Sequence, residues 1–215
     1  MVPFRLGEPY LSNQNLPMNP SSLLEAAQDG NDLAIGGLLQ YYRPYLSLLA
    51  RLKADRLLQS KLSDSDLVQE TCLSAHRDFA QFRGVTEPEL TAWLRRIMAH
   101  VAANHHRDFR RKRRDVRLER ELTGQLKDSS QALDGAFVDP GPSPSQSAIR
   151  RERAVILATA LERLPPDQRD VIVMRDLQGI PLAEVAERMG RNASATQKLW
   201  ARALVQLKRL MEAEE

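Results

Sequence analysis

The sequence predicts an all-α protein made of two helical domains joined by a flexible linker. Strand-like alternation of apolar and polar residues is missing, and the helix-favouring residues Leu, Ala, Arg, Glu and Gln dominate. The chain is divided because Gly, Pro, Ser, Asp and Gln crowd into residues 123–147. A segment of this composition is extended by its prolines and is not expected to hold a core.

The predicted boundaries follow from this division. Residues 1–20 contain four prolines and predict a flexible tail, not a signal peptide. Residues 21–122 form the first predicted domain and residues 148–215 the second. The linker between them, residues 123–147, would reach roughly 80 Å at ~3.3 Å per residue, so the domains could separate or pack together. No stretch approaches the roughly 20 apolar residues of a membrane span, so no membrane insertion is predicted. The chain has a single cysteine, Cys72, which favours the reducing cytoplasm as its location.

The first domain contains clear helix start signals. Asn31 or Asp32 can cap one helix, and Ser63 can cap the next, whose first turn is acidic and therefore favoured by the helix dipole. The apolar spacing predicts that this second helix buries three side chains: Leu67, Leu73 and Phe79.

A long helix, predicted to start after Pro88, leads into a strongly basic cluster. Between Arg107 and Arg120, eight of fourteen residues are Lys or Arg, although the whole chain carries a net charge of only +3. This concentration predicts a polyanionic partner, and the alternative is a basic helix face that meets only water. His105 and His106 precede the cluster, but no ligand set with metal spacing surrounds them, so no metal site is predicted.

The second domain contains a helix-turn-helix pattern. A short amphipathic helix is followed by Gly190, which suits a left-handed helix end, and then by a longer helix that Asn192 or Ser194 can cap. The short helix has apolar residues at i, i+3, i+4 and i+7, namely Leu182, Val185, Ala186 and Met189. The longer helix is expected to bury Thr196, Trp200, Ala203, Leu207 and Leu210.

This pattern places the longer helix in the major groove of DNA. Its small residues Ala193 and Ala195 would let the backbone approach the duplex. Gln197 could read a base edge, and three basic residues could hold phosphates or guanines: Arg191, Lys198 and Arg202. The alternative is an ordinary helical hairpin whose polar face meets only water.

Two segments together resemble the extracytoplasmic-function (ECF) sigma factors of bacterial RNA polymerase. Residues 164–186, which begin Leu-Pro-Pro-Asp-Gln-Arg, look like the fourth domain of that family. Residues 66–94 carry Asp-Leu-Val-Gln-Glu-Thr, Phe-Arg-Gly and Ala-Trp-Leu, and are similar to its second domain. The two segments occur in the family's order, on either side of a linker.

The resemblance implies a transcription initiation factor without catalytic residues or cofactors, whose partners are core RNA polymerase, promoter DNA and an anti-sigma protein. The polymerase would be bound at the flap of its second-largest subunit and at the clamp helices of its largest subunit, the latter through Asp66, Gln69 and Glu70. The −10 promoter element would be bound by Asn104, His105, Arg107, Asp108, Arg110 and Arg111. The −35 element would be read by Arg191, Asn192, Ser194, Ala195, Thr196, Gln197, Lys198 and Arg202.

The chain also departs from the family, because many members carry a basic residue near the position of Leu199, and Trp200 makes this helix more apolar than usual. Two other function classes stay open at this point. One is a dimeric helix-turn-helix repressor or activator, which would bind half-sites about 34 Å apart. The other is a nucleic-acid enzyme using His105 and His106, although no paired acid and base are visible.

Overall fold

The computed structural model describes residues 19–57, 63–110, 120, 122–124, 126–127 and 144–213. Most of the predicted N-terminal tail and residues 128–143 of the predicted linker therefore lie outside the described residues. Within the ranges given, every regular element is helical, as the sequence predicts. None of these described helices combines the length and the apolar character needed to cross a bilayer.

The helices fall into two lobes along the chain. The N-terminal lobe contains α1 (Pro20–Gln28), α2 (Asp32–Leu57), α3 (Asp64–Asp78) and α4 (Glu87–Arg110), with a 3₁₀ turn at Phe79–Gln81. The C-terminal lobe contains α5 (Pro144–Glu162), α6 (Pro166–Ile172), α7 (Leu182–Arg188) and α8 (Ala193–Glu212). A π-helical segment, Val173–Leu177, continues α6.

The N-terminal lobe is built around α2. Helices α1 and α3 pack on α2, and α4 packs on α3. Asn31 is the cap of α2, because its Oδ1 accepts a hydrogen bond from Ala34 N at 3.2 Å, which confirms one of the two predicted caps. The largest fully buried side chains of this lobe come from α2 and α4: Leu38, Tyr42, Leu46, Leu49, Leu90, Leu94 and Met98.

The start of α3 and most of its buried face agree with the prediction. Ser63 caps the helix, since its hydroxyl accepts a hydrogen bond from Asp66 N at 3.2 Å. Leu67 and Phe79 are buried, at 3% and 4% exposure. Leu73 is 43% exposed, so its predicted burial is wrong. Its side chain lines a groove between α2 and α3 instead of entering the core.

Helix α4 begins at Glu87, slightly earlier than predicted. Thr86 and Glu89 form a capping box: Glu89 N donates to Thr86 Oγ1 at 3.4 Å, and Glu89 Oε2 accepts from Thr86 N at 3.0 Å. Pro88 therefore lies in the first turn, where a missing N–H removes no helical hydrogen bond.

The C-terminal lobe is built around α8, against which α5, α6 and α7 pack. Pro165 and Pro166 open α6, in keeping with the tolerance of prolines in a first turn. The buried side chains of this lobe include Leu157, Leu161, Ile172, Val185, Ala203 and Leu207.

Helix α5 begins inside the segment that the sequence predicts as linker, residues 123–147. Its first residue is Pro144, and a proline suits the first helical turn as well as it suits an extended chain. Leu122 and Leu126, near the other end of the predicted linker, are in helical conformation and are buried, at 1% and 2% exposure. The composition of residues 123–147 therefore did not predict that helical segments occur at both of its ends.

The two lobes pack against each other through α2 and α5. Arg51 of α2 forms an ion pair of 3.5 Å with Asp170 of α6. The carbonyl oxygen of Arg51 also accepts a hydrogen bond of 3.3 Å from Gln178 Nε2, just after the π-helical segment. The buried side chains of the two lobes form one continuous cluster. Of the two arrangements that the linker allows, the structure has the packed one.

Candidate nucleic-acid interface

The turn between α7 and α8 is as tight as the sequence predicts. Gly190 has φ +62°, the left-handed conformation expected at a helix end. Arg191 N donates to Ala186 O at 2.9 Å, which with the bond from Gly190 N completes a Schellman motif. Asn192 then caps α8, because its Oδ1 accepts a hydrogen bond from Ala195 N at 2.8 Å. Backbone hydrogen bonds and this side-chain cap thus define the turn between the two helices.

The exposed face of α8 carries most of the residues predicted to read DNA. Ala203 and Leu207 are buried, as predicted, while Trp200 is half-buried. Ala195 is also half-buried and presents only a methyl group. The polar residues that remain exposed around the start of the helix and along this face are Arg191, Asn192, Ser194, Gln197, Lys198 and Arg202.

Thr196 does not belong to this face. Its exposure is 0%, and its hydroxyl donates a hydrogen bond of 3.0 Å to the carbonyl oxygen of Asn192. The apolar periodicity already places Thr196 on the buried side of the helix, so its assignment to the DNA-reading set is wrong. Its side chain supports the first turn of α8 from inside the lobe.

Arg191 is paired with an acidic residue from another helix. Its Nη2 donates a short hydrogen bond to Asp167 Oδ2, in the first turn of α6. Both side chains remain partly exposed, at 41% and 58%. Because a guanidinium has five N–H donors, this pair leaves donors for a phosphate but lowers the net positive charge beside them. Sequence reasoning missed the pair because the residues are 24 positions apart.

Trp200 joins α8 to the π-helical segment. The guanidinium carbon of Arg175 lies 3.4 Å from the centre of the Trp200 ring system, a cation–π contact. Trp200 Nε1 donates a hydrogen bond of 2.8 Å to Asp176 Oδ2. The unusual tryptophan noted in the sequence thus has two specific partners, and together they hold the middle of α8.

A second candidate surface is an open cleft of about 570 Å³ between α3 and α4. The half-buried ring of Trp93 lines this cleft and packs against Phe79 and Phe82, with ring centroids 5.8 and 5.2 Å away. The other side chains that line the cleft include Glu70, Arg77, Arg96, His100 and Asn104. An aromatic ring beside basic and amide groups is the combination that binds unpaired bases and their phosphates.

Two of the predicted site residues, one of which lines this cleft, contact each other. His105 Nε2 lies 2.5 Å from Glu70 Oε2, and both side chains are about a third to a half exposed. The sequence assigns Glu70 to polymerase binding and His105 to DNA binding, and the structure brings the two together. Within the described residues, no group of three His, Cys, Asp or Glu side chains could hold a metal ion.

The other predicted polymerase-binding residues lie on the outer face of α3. Asp66 and Gln69 are exposed. Asp66 Oδ2 also accepts a hydrogen bond of 2.7 Å from Ser63 Oγ, so it contributes to the cap of its own helix. Of the predicted −10 residues, Asn104 and His105 are described. The side chains of Arg107, Asp108, Arg110 and Arg111 lie outside the described residues.

Comparison with known proteins finds two matches to family models, one in each lobe. Residues 39–113 match the model of Sigma-70 region 2, and residues 154–207 match that of Sigma-70, region 4. These ranges take in most of α2 to α4 and most of α5 to α8.

Two similar proteins are both ECF RNA polymerase sigma factors. The chain is 32% identical over 189 residues to the ECF RNA polymerase sigma factor BldN of Streptomyces coelicolor, covering 88% of this chain and 64% of BldN. It is 27% identical over 187 residues to the ECF RNA polymerase sigma factor SigD of Mycobacterium tuberculosis, covering 87% and 81%. A solved RsbN–BldN complex matches with 24% identity, 87% and 98% coverage and a TM-score of 0.30.

Proposed function

Because the chain belongs to the extracytoplasmic-function sigma factors, we propose that it carries core RNA polymerase to promoters and recognises a −10 and a −35 element. Members of this family initiate transcription without catalytic residues of their own, so neither His105 nor Glu70 is assigned a reaction. The observation that carries the proposal is the presence of both sigma regions in the family's order. A match to Sigma-70 region 2 is not expected of a dimeric helix-turn-helix repressor, so we do not propose that function.

The proposed −35 surface is the exposed face of α8. Gln197 lies where it could read a base edge in the major groove, and Lys198 and Arg202 could contact the flanking phosphates. The capped first turn and the small residues near Asn192 would let the backbone approach the duplex. Arg191 would contribute through the donors that Asp167 leaves free.

The proposed −10 surface is the α3–α4 cleft together with the basic end of α4. Promoter opening requires that an unpaired strand be held, and Trp93 offers an aromatic surface beside Arg96, His100 and Asn104. The basic cluster that begins at Arg107 would attract the phosphates of the same strand.

The proposed polymerase surface is the outer face of α3, with Asp66 and Gln69 toward the clamp helices. The C-terminal lobe would meet the flap of the second-largest subunit. Glu70 is shared by the proposed polymerase and −10 surfaces, because it lines the cleft and contacts His105. Gln69→Ala is therefore a cleaner test of polymerase binding than a change at Glu70. An anti-sigma protein that covers these surfaces is the proposed inhibitor.

Transcription of genomic DNA by bacterial core polymerase, with and without this protein, tests the proposal. Sequencing the 5′ ends of the products is expected to show new transcripts that share two upstream motifs. Lys198→Ala is expected to weaken binding to the −35 duplex and to reduce the slope of log K against log salt by about 1. Lys208→Ala removes another exposed lysine, further along α8, and serves as the matched control.

A preparation that binds core polymerase poorly and adds no transcripts would refute the proposed function. Equal effects of Lys198→Ala and Lys208→Ala would instead show that the reading face of α8 is wrongly assigned.

A further inference from the structure

Two of the residues that the family resemblance assigns to polymerase binding line different clefts. Gln69 lines the groove between α2 and α3, together with Leu73. Glu70, the next residue, lines the cleft between α3 and α4, together with Trp93 and Asn104. Gln69 is exposed, whereas Glu70 is half-buried. Glu70 therefore lies on the side of the proposed −10 surface, although its neighbour in sequence does not.

An imidazole from α4 occupies one oxygen of the Glu70 carboxylate. His105 Nε2 lies 2.5 Å from Glu70 Oε2, and the two residues are 35 positions apart in the chain. An ionised carboxylate only accepts hydrogen bonds, so Nε2 is the donor and Nδ1 is the second polar atom of the ring. Since the His105 side chain is 33% exposed, part of it remains open to a ligand. The carboxylate thus orients an imidazole that a partner can still reach.

The protonation state of His105 determines what its Nδ1 can bind. A neutral imidazole that donates from Nε2 has an acceptor at Nδ1, whereas an imidazolium donates from both nitrogens and carries a positive charge. Imidazoles exchange this proton between roughly pH 5 and 8. Only the charged form can donate from Nδ1 to a phosphate oxygen while Nε2 stays bonded to Glu70.

The other charged groups along the cleft also favour a phosphate ligand. Arg77 and Asp78 line it from α3, and Arg96 and His100 line it from α4. Asp78 is already paired, because Arg77 Nε donates to its Oδ1 at 3.1 Å. Arg96 is exposed. Of these described groups, His100 is the one whose charge also changes between roughly pH 5 and 8, so a test has to separate the two imidazoles.

We propose that Glu70 is a positioning residue of the −10 surface, whose carboxylate orients His105 so that the imidazolium Nδ1 binds a phosphate of the unpaired −10 strand. This inference rests on the proposed function, because it requires that the α3–α4 cleft binds that strand. It gives Glu70 a role on the DNA side, although the resemblance implies polymerase binding. Asp66 and Gln69 contact the polymerase without Glu70 in this arrangement.

Binding of single-stranded DNA by the assembled complex of core polymerase and the full chain tests the proposal. The probes are a labelled oligonucleotide that carries the downstream motif found by transcript sequencing and an oligo(dT) of equal length. Affinity is measured at about pH 6 and about pH 8 over a range of salt concentrations. Each neutralised phosphate of a single strand adds about 0.7 to the slope of log K against log salt, so a charged His105 is expected to steepen the slope by about 0.7 at the lower pH.

Substitutions of three histidines separate the source of this pH dependence. His105→Gln is expected to remove the share of about 0.7. His100→Gln removes the other imidazole of the cleft and should keep that share. His76→Gln is the matched control, because His76 also pairs with a carboxylate, that of Asp32 at 3.3 Å, but lines the α2–α3 groove.

Substitutions of Glu70 test the positioning role itself. Glu70→Ala is expected to remove the same share of the slope as His105→Gln, since the ring is no longer oriented. Glu70→Gln keeps an acceptor for the Nε2 proton and should retain most of it. Loss of the carboxylate also reduces its repulsion of DNA, so Glu70→Ala is repeated in the His105→Gln background, where that repulsion alone changes.

Affinity for core polymerase, measured separately for each variant, distinguishes this role from the one that the resemblance implies. Glu70→Ala should change it by less than about twofold, the scatter usual for a surface substitution, whereas Gln69→Ala should weaken it clearly. A loss in Glu70→Ala as large as in Gln69→Ala, or a pH-dependent slope that survives both Glu70→Ala and His105→Gln, would overturn the positioning role and leave the proposed function intact. Failure of the unaltered protein to bind core polymerase would refute the proposed function, and this inference with it.

Discussion

At the scale of single residues, the pairing of Arg191 with Asp167 has a functional consequence. Asp167 places a carboxylate beside a guanidinium that belongs to the proposed −35 surface. On the proposed −35 surface, DNA phosphates would compete with this carboxylate for the same donors, and the carboxylate would also repel the duplex. The pair is therefore expected to limit the affinity of this surface for DNA of any sequence.

Asp167→Asn is expected to raise the affinity for a −35 duplex roughly two- to fivefold, the size that a partly exposed ion pair usually contributes. Fluorescence anisotropy at several salt concentrations measures this change, and non-specific duplex should gain similarly. Glu162→Gln removes the same charge at the end of α5 and is the control. Weaker binding by Asp167→Asn would mean that the carboxylate orients Arg191 instead of competing for it.

Residue roles could be predicted from the sequence where they depend on the residue's own helix. The left-handed Gly190, the caps at Ser63 and Asn192, and the buried Ala203 all follow from local spacing, and the structure confirms them. The partners of Arg191 and Trp200 could not be predicted, because they depend on how α6 and the π-helical segment pack against α8.

At the scale of elements, the turn between α7 and α8 determines how the proposed reading helix is presented. Gly190→Ala forces a Cβ into a left-handed conformation, which costs about 1–2 kcal/mol. No neighbouring atom lies within 4 Å of that Cβ, so the cost is one of backbone conformation and not of a clash. Asn tolerates this conformation better than Ala does.

Urea denaturation is therefore expected to show a clear loss of stability for Gly190→Ala and a smaller loss for Gly190→Asn. Equal losses for the two variants would contradict the backbone explanation. The −35 duplex affinity of the two variants, measured well below the unfolding transition, should follow the same order.

The start of α5 could not be predicted from the sequence. The stretch from Asp139 to Pro144 reads as linker because proline and glycine interrupt helices, yet Pro144 begins a helix of 19 residues. Proline is common both in extended linkers and in the first turn of a helix, so composition alone does not distinguish the two. What distinguishes them is the apolar run from Ala154 to Leu161, which is buried against α2 and the C-terminal lobe.

At the scale of the whole molecule, the continuous core predicts that the two lobes unfold cooperatively. Because α2 and α5 pack against each other, neither lobe can unfold without exposing apolar surface of the other, so unfolding of one lobe destabilises the other. Two lobes joined only by a linker would unfold independently, each with the broad transition of a small domain.

Differential scanning calorimetry of the full chain is expected to show one transition, with the calorimetric enthalpy close to the van't Hoff enthalpy. Arg51→Glu, which replaces an ion pair with a like-charge contact to Asp170, should weaken the contact between the lobes and broaden that transition. Lys208→Glu makes the same charge change at an ion pair that lies within α8, with Glu212, and should leave the transition single. Two resolved transitions in the unaltered protein would show that the lobes are thermodynamically separate, whatever their arrangement at rest.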